Sequence, residues 1–242
     1  MNDLVSYITE FDPAFPSRIE GATREELDQL EGLARRNLPS DYREFANLLG
    51  HRDGGLRIGN DSSTDVRELI AYYSDVRADG NWDDMIPENA VVIAYSGVRT
   101  PELCLELQPD GARVIYSQAN EKLGPCADSV EKLAFRSAFS NFRRKRLPTS
   151  VIYEATNDSI TTATASSVAQ RLGFAPEWFS DSVCQCQTRG DALLLFQCIL
   201  GRPLWLRLSS GDDRELDEVG RTLQHELGLV LLQRRKEGDG QR

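Results

Sequence analysis

Residues suited to nucleophilic or acid–base catalysis are sparse in this chain. Its 242 residues include two histidines, His51 and His225. A nucleophilic Ser or Cys usually needs a base within hydrogen-bond reach, and that base is most often His. We expect His51 to be a solvent-exposed loop residue, and His225 has no second histidine four residues away, so the metalloprotease spacing is absent. We therefore predict that the protein is not an enzyme and name no catalytic residue.

The five cysteines are the next candidates for chemistry. Cys184 and Cys186 alternate with Gln185, which places both thiols on one face of a strand. A structural zinc ion needs four ligands, and even with Cys198 the chain supplies only three here. We expect buried, hydrophobic cysteines and no metal site. Zinc bound beside an open pocket is the alternative, and it would revive an enzymatic role.

Neither the adjacent acidic pairs nor any short motif indicates a bound cofactor. Asp83-Asp84 is typical of a solvated loop, and Asp212-Asp213 is typical of the first turn of a helix. The sequence contains no glycine-rich phosphate loop, dinucleotide fingerprint or nucleophile elbow. Arg189-Gly190-Asp191 is expected to form a hairpin turn rather than to act as an adhesion motif. We predict that the protein binds no cofactor.

The apolar pattern and the N-terminus favour a cytoplasmic protein that does not enter a membrane. The apolar runs Ala192 to Phe196 and Cys198 to Leu200 are separated by Gln197 and fall short of the ~18 residues of a membrane span. Met1-Asn2-Asp3-Leu4 lacks the basic start and apolar stretch of a secretory signal. An odd number of cysteines without framework spacing also favours a reducing compartment.

The net negative charge of the chain comes entirely from its first part. Residues 1–88 carry 19 acidic and 9 basic side chains, whereas residues 89–242 carry 19 of each. The whole formal net charge of −10 therefore belongs to the first 88 residues. Such a charge disfavours direct nucleic-acid binding, which needs clustered Lys and Arg. It favours a basic partner. The alternative is that the acidic surface has no partner and only keeps the protein in solution.

Residues 19–55 predict a rigid corner of two short helices. Thr23 and Glu26 have the spacing of a capping box at the start of the first helix. Pro39 ends that helix, and Ser40 is expected to cap the second, which buries Tyr42 and Phe45. A double glycine, Gly54-Gly55, then provides the permissive backbone for a sharp exit.

The rest of the first domain reads as one helix, an antiparallel sheet and a closing helix. Leu56 to Ile58 alternates like the start of a strand, and Thr64 is expected to cap a helix that ends near Val76. Apolar runs predict antiparallel strands at Val91 to Tyr95, Leu103 to Leu107 and Val114 to Tyr116. Trp82 is expected to anchor its polar loop to the core. We place the domain boundary after residue 147.

The pattern restarts beyond this boundary. Strands, a helix, further strands, a second helix and a last strand follow in order, which is compatible with a smaller α+β domain of the split βαβ type over residues 148–235. The run Leu193 to Leu200 is ambiguous between strand and helix. Residues 236–242 form a polar tail.

The corner resembles the SMI1/KNR4 (SUKH) family over roughly residues 1–146. An Ile-Glu pair near a helix start, the motif Leu-Pro-x-x-Tyr-x-x-Phe, a double glycine and a later tryptophan occur in the family's order. The residues that carry the resemblance are Ile19, Glu20, Leu38, Pro39, Tyr42, Phe45, Gly54, Gly55 and Trp82. The resemblance implies a SUKH-like α+β domain, with N-terminal helices packed on an antiparallel sheet, and it implies structural roles for these residues.

The resemblance also implies a function. Many bacterial SUKH proteins are immunity proteins that bind a cognate toxin domain, often a nuclease, by stoichiometric protein–protein interaction. We therefore expect a toxin partner with a basic surface, engaged by the acidic segment of residues 53–88. The expected contacts are acidic residues of this segment: Asp61, Asp65, Glu68, Asp75, Asp79, Asp83 and Asp84. The alternative is a regulatory or scaffold protein of SMI1/KNR4 type without a toxin partner.

Overall fold

The computed structural model describes residues 1–59, 62–97 and 101–236, apart from the side chain of Asn2. The chain forms two compact units, Met1–Ala138 and Phe139–Arg242. Both units combine helices with antiparallel strands, so the predicted α+β class is confirmed. The sequence places the boundary after residue 147, whereas the contacts divide the chain after Ala138. No helix in the described ranges is long and apolar enough to cross a membrane.

The first unit is a helical layer with a four-stranded sheet and a two-stranded ribbon. Its helices are α1 Asn2–Thr9, α2 Arg24–Ala34, α3 Ser40–Leu49, α4 Val66–Ala78, α5 Trp82–Met85 and α6 Val130–Ala138. Its strands are β1 Ile19–Glu20, β2 Arg52–Asp53, β3 Ala90–Ala94, β4 Glu102–Gln108, β5 Gly111–Gln118 and β6 Glu121–Ala127. The sheet order is β3-β4-β5-β6, and β1 pairs with β2.

The predicted capping box at the start of α2 is present. The Thr23 hydroxyl accepts a hydrogen bond from the Glu26 N–H at 3.2 Å, and the Glu26 carboxylate accepts one from the Thr23 N–H at 2.8 Å. The cap of α3 is predicted wrongly: Pro39 is the capping residue, and Ser40 is already helical. Arg43 ties the two helices together through ion pairs with Asp28 and Glu31.

The three predicted strands of the first sheet are confirmed, and β6 is an addition that the sequence did not indicate. The turn at Pro109-Asp110 joins β4 to β5, which pair from Glu102↔Ser117 to Gln108↔Gly111. The strand expected at Leu56 to Ile58 does not form. Arg57 has a φ of 56°, which is a left-handed conformation that no strand contains.

In its described part, the second unit has a six-stranded sheet and two α-helices, preceded by a π-helical turn at Phe139–Arg143 and a 3-10 turn at Arg144–Arg146. Its strands are β7 Thr149–Ala155, β8 Ala175–Pro176, β9 Cys184–Arg189, β10 Ala192–Gln197, β11 Trp205–Ser210 and β12 Leu229–Lys236, and its helices are α7 Thr162–Arg171 and α8 Asp213–Leu227. The ambiguous run after Asp191 is therefore a strand. A turn at Gly190, with a φ of 54°, connects β9 to β10. Except for Lys236, which ends β12, the predicted polar tail lies outside the described residues.

The topology of this sheet contains the split βαβ arrangement. Strands follow the order β12-β7-β11-β10-β9-β8, and every neighbouring pair is antiparallel. Because β11 and β12 are both antiparallel to β7, they run parallel to each other with β7 inserted between them. Helix α8 makes the crossover and buries Leu216, Val219 and Leu223 in the core.

The double glycine provides a test of the corner. Both residues have positive φ, 64° at Gly54 and 93° at Gly55, but a Cβ at Gly54 would lie 2.6 Å from the buried Phe15 ring while one at Gly55 would meet nothing within 4 Å. We expect Gly55→Ala to cost about 1–2 kcal/mol from backbone strain alone. Gly54→Ala should cost roughly 1–3 kcal/mol more because it also overpacks the core.

Urea unfolding followed by circular dichroism measures both free energies of unfolding. Gly55→Ala is the control, since it also places a side chain at positive φ but without the steric contact. Equal destabilisation by the two substitutions would show that Gly54 is needed only for its conformation.

Candidate protein-binding surface

The seven acidic residues predicted as partner contacts fall into three groups. Asp61 lies outside the described residues. Asp65 is partly buried and engaged in local structure. The remaining five side chains are exposed, on α4, at its C-terminal end and on α5: Glu68, Asp75, Asp79, Asp83 and Asp84.

Asp65 is a structural residue of the helix start. It is the N-cap of α4, because its carboxylate accepts a hydrogen bond from the Arg67 N–H at 2.9 Å. The same carboxylate forms an ion pair with the Arg67 guanidinium at 2.6 Å. Burial alone would raise the pKa of Asp65, but the side-chain and backbone hydrogen bonds with Arg67 hold it below its usual value. This carboxylate is therefore already neutralised within its own helix.

The acidic face of α4 has no such neutralising partner. Glu68, Asp75 and Asp79 follow at intervals of seven and four residues, which places them on one face of the helical segment. Within the described chain these carboxylates form no ion pair. Of the two cations of α4, Arg67 is held by Asp65, and Arg77 donates to the carbonyl of Gly32 at 3.0 Å. The face is therefore uniformly negative.

This face borders a groove of about 370 Å³, which we call the α4 groove. Its lining consists of acidic, aromatic and small side chains: Glu68, Ala71, Tyr72, Asp75, Val76, Asp79, Asn81, Met85 and Tyr95. The Tyr72 and Tyr95 rings stack with centroids 4.3 Å apart and planes tilted by 32°. Tyr95 is fixed there by two backbone hydrogen bonds with Ser63, of 2.8 and 2.9 Å.

Helix α5 extends the acidic surface beyond the groove. Trp82 packs its ring 5.8 Å from that of Tyr73, and the guanidinium groups of Arg35 and Arg77 lie 5.7 and 5.8 Å from the Trp82 centroid. These contacts agree with the anchoring role predicted for Trp82. Asn120 donates hydrogen bonds to the backbone carbonyls of Asp83 and Asp84. Both carboxylates remain exposed to solvent.

Sequence analysis missed one acidic residue of this region, Glu102 at the start of β4. Its side chain is buried, with 7% of the residue exposed, and its Oε2 has no hydrogen-bond partner among the described residues. Burial raises the pKa of Glu102 to about 7. The pattern gave no signal, because Glu102 precedes an alternating apolar run and looks like an ordinary strand terminus.

Glu106, four residues further along β4 and on the same face, is the opposite case. Its carboxylate binds Lys122 at 2.8 Å and Arg113 at 2.5 Å. The hydrogen bond from Lys122 is the main reason that the pKa of Glu106 lies below its usual value, and Arg113 adds to the effect. One strand face thus holds a paired glutamate and an unpaired one.

The two glutamates predict opposite pH dependences of stability. The pKa of Glu102 rises from 4.5 unfolded to about 7 folded, so folding is penalised increasingly as the pH rises through this window. Glu102→Gln should therefore gain stability relative to wild type as the pH rises from 5 to 8, by on the order of 2 kcal/mol at pH 8. Its advantage should vanish near pH 4.5 and below.

Glu106→Gln is the matched control, measured by urea unfolding at the same pH values. Because the pKa of Glu106 is lowered, its stabilising contribution is fully present above 4.5 and is lost only at lower pH. Glu106→Gln should therefore be less stable than wild type by a constant amount between pH 5 and 8. A constant difference for Glu102→Gln as well would rule out a raised pKa of Glu102.

His51 and the cysteines are engaged in local structure. The His51 side chain is only 8% exposed, and its Nε2 lies 2.9 Å from the Glu26 carboxylate, so the expected exposed position is wrong. Cys184 and Cys186 are buried, as predicted, and none of the five cysteines forms a disulfide bond. No group of three or more His, Cys, Asp and Glu residues in the described ranges is placed to hold a metal ion.

Comparison with known proteins adds no identification. The sequence matches no protein-family model, and no curated protein matches it.

Proposed function

We propose that this chain is an immunity protein of SMI1/KNR4 type, which binds and neutralises a cognate toxin domain without turnover. The observation that carries the proposal is the set of exposed carboxylates on α4, at its C-terminal end and on α5. The five acidic side chains Glu68, Asp75, Asp79, Asp83 and Asp84 are exposed and lack an ion-pair partner within the described chain.

Unpaired charge of one sign favours a partner of the opposite sign. Most surface carboxylates of the α2–α3 corner are already paired, as Asp28 and Glu31 are with Arg43. On α4 and α5 the charge is left for solvent, where it attracts a basic surface and speeds encounter. A nuclease toxin presents such a surface in the cleft that holds nucleic acid. A typical interface buries ~800 Å² on each partner, more than the groove alone offers, so flanking loops would contribute.

The positions of the residues that resemble the SUKH signature support a structural role for them. Ile19 and Glu20 form β1 and pair with Asp53 and Arg52 of β2. Leu38, Tyr42 and Phe45 are buried, and the two rings stack with centroids 6.4 Å apart. These residues build the corner, and the binding surface lies downstream of it on α4 and α5.

The proposal requires binding only. His51 is held between Glu26 and Glu20, and burial raises the pKa of the Cys104 thiol to about 12, which disfavours the reactive thiolate. The proposed mechanism is therefore occlusion or inactivation of the toxin by a stoichiometric complex. The protein itself would make no direct contact with nucleic acid.

Charge reversal on the acidic surface tests the proposal. The chain is co-expressed with the product of the adjacent gene, the candidate toxin, and cell growth and the dissociation constant of the purified pair are measured. We expect the candidate toxin to stop cell growth when it is expressed alone and to have no effect on growth when the chain is present. The quadruple variant Glu68→Lys, Asp75→Lys, Asp79→Lys and Asp83→Lys should bind several-fold more weakly, mainly through slower association.

The matched control carries four reversals at exposed acidic residues elsewhere: Asp110→Lys, Glu121→Lys, Asp158→Lys and Glu218→Lys. Four swaps of two charge units each change the formal net charge from −10 to −2 in both variants. The control should retain rescue and affinity. If the first variant inhibits the toxin as well as wild type does, this surface is not the interface. If the product of the adjacent gene is not toxic, or if wild type fails to rescue growth, the chain is not an immunity protein against that product.

A further inference from the structure

The α4 groove combines acidic and aromatic side chains. Its volume of about 370 Å³ lies at the lower end of the ~300–1,000 Å³ typical of ligand pockets. Glu68, Asp75 and Asp79 line it, and the stacked rings of Tyr72 and Tyr95 provide an aromatic surface. A cation over an aromatic face is attracted by the ring quadrupole in addition to the carboxylates.

A buried carboxylate lies beside the same two rings. Ala94 pairs with Leu103, so extending the antiparallel register by one residue places Tyr95 opposite Glu102 and on the same face of the sheet. Burial, and to a smaller extent the Glu102 charge, raises the pKa of Tyr72. Glu102 Oε2 has no hydrogen-bond partner among the described residues, and the residue is only 7% exposed.

Among the described residues, Glu102 forms no ion pair. Its cross-strand row continues through Ser117 to Lys122, whose ammonium is bonded to Glu106. Tyr72 faces Glu102 from α4, Tyr95 follows β3, Cys104 is the next residue on its own strand face, and Ser117 pairs with it on β5. The Ser117 hydroxyl lies 3.0 Å from the Cys104 thiol. An unpaired carboxylate in such surroundings is costly, and a cation placed beyond the rings would favour its ionised form.

We propose that the α4 groove is a subsite for one arginine side chain of the protein partner, with its guanidinium against the partly exposed ring of Tyr95 and bonded to Asp75 and Asp79. This inference rests on the proposed function for the class of partner, a protein with a basic surface. A guanidinium fits better than an ammonium, because its planar fork stacks on rings and binds carboxylates through two hydrogen bonds.

The spacing of the carboxylates favours an organic cation over a metal ion. No group of three or more potential ligand residues in the part of the chain that the structure describes could hold a metal ion. A guanidinium has five N–H donors on a planar frame and can bridge carboxylates that are too far apart to share one ion. Asn81 lines the same groove and adds an amide that can accept or donate.

A small probe tests the subsite without the toxin. The full chain, labelled with ¹⁵N, is titrated with N-acetylarginine amide, and its amide shifts are followed by NMR at pH 8. N-Acetylcitrulline amide, which has nearly the same shape without the charge, is the control ligand. We expect shifts concentrated at residues 68–85 and at Tyr95 with the arginine probe, and none with the citrulline probe.

Two double variants test which carboxylates bind the arginine probe. Asp75→Asn with Asp79→Asn should weaken the arginine probe about fivefold, since each exposed charge pair contributes a small factor. Asp110→Asn with Glu121→Gln makes the same change of charge away from the acidic surface and should leave affinity unchanged. Glu102→Gln should weaken binding at pH 8 but not at pH 5.5, where wild-type Glu102 is already protonated.

Several results would overturn the subsite. These are equal binding of the citrulline probe, shifts spread over the whole acidic surface, equal losses in the two double variants, or no binding at all. The outcomes are separable from those of the proposed function. Probe binding without toxin neutralisation would refute immunity alone, whereas neutralisation without probe binding would refute the subsite alone.

Discussion

The attachment of α4 to the first sheet is the constraint on which the acidic surface depends. The buried Tyr73 hydroxyl accepts a hydrogen bond from the Val92 N–H at 2.7 Å, and Val66, Leu69 and Val76 are buried on the same helix. A helix fixed in this way cannot rotate to bring its polar side inward. Its outer face must therefore present its carboxylates to solvent, whatever partner they meet.

Burial and pairing give two chemically identical residues, Glu102 and Glu106, different properties. Glu106 and Glu102 lie on the same side of β4, yet Glu106 is bound by Lys122 and Arg113, whereas Glu102 Oε2 has no hydrogen-bond partner among the described residues. Paired charge adds to stability, whereas unpaired buried charge lowers it. A cation bound near a buried carboxylate would lower this cost, which is why the proposed arginine subsite in the α4 groove includes a test at Glu102.

Much of the fold follows from short-range patterns, and the site follows from them only in part. The acidic segment was identified from composition, but composition does not distinguish a free carboxylate from one already used. Asp65 is used as a helix cap, because its backbone lies at the start of α4 and its side chain reaches the Arg67 N–H. The sequence does not indicate the buried state of Glu102, because that state depends on packing against residues of another element, α4.

The sequence by itself determined the local features: the capping box at Thr23, the glycine exit at Gly54 and the antiparallel hairpin of β4 and β5. These depend on residues close together in the chain, whose backbone preferences act before any packing. Tertiary structure alone decided that β7 lies between β11 and β12, that Tyr95 packs on Tyr72 and that Glu102 Oε2 has no hydrogen-bond partner in the described part of the chain. Each of these brings together residues that are distant in the chain, and only the packed structure selects such contacts.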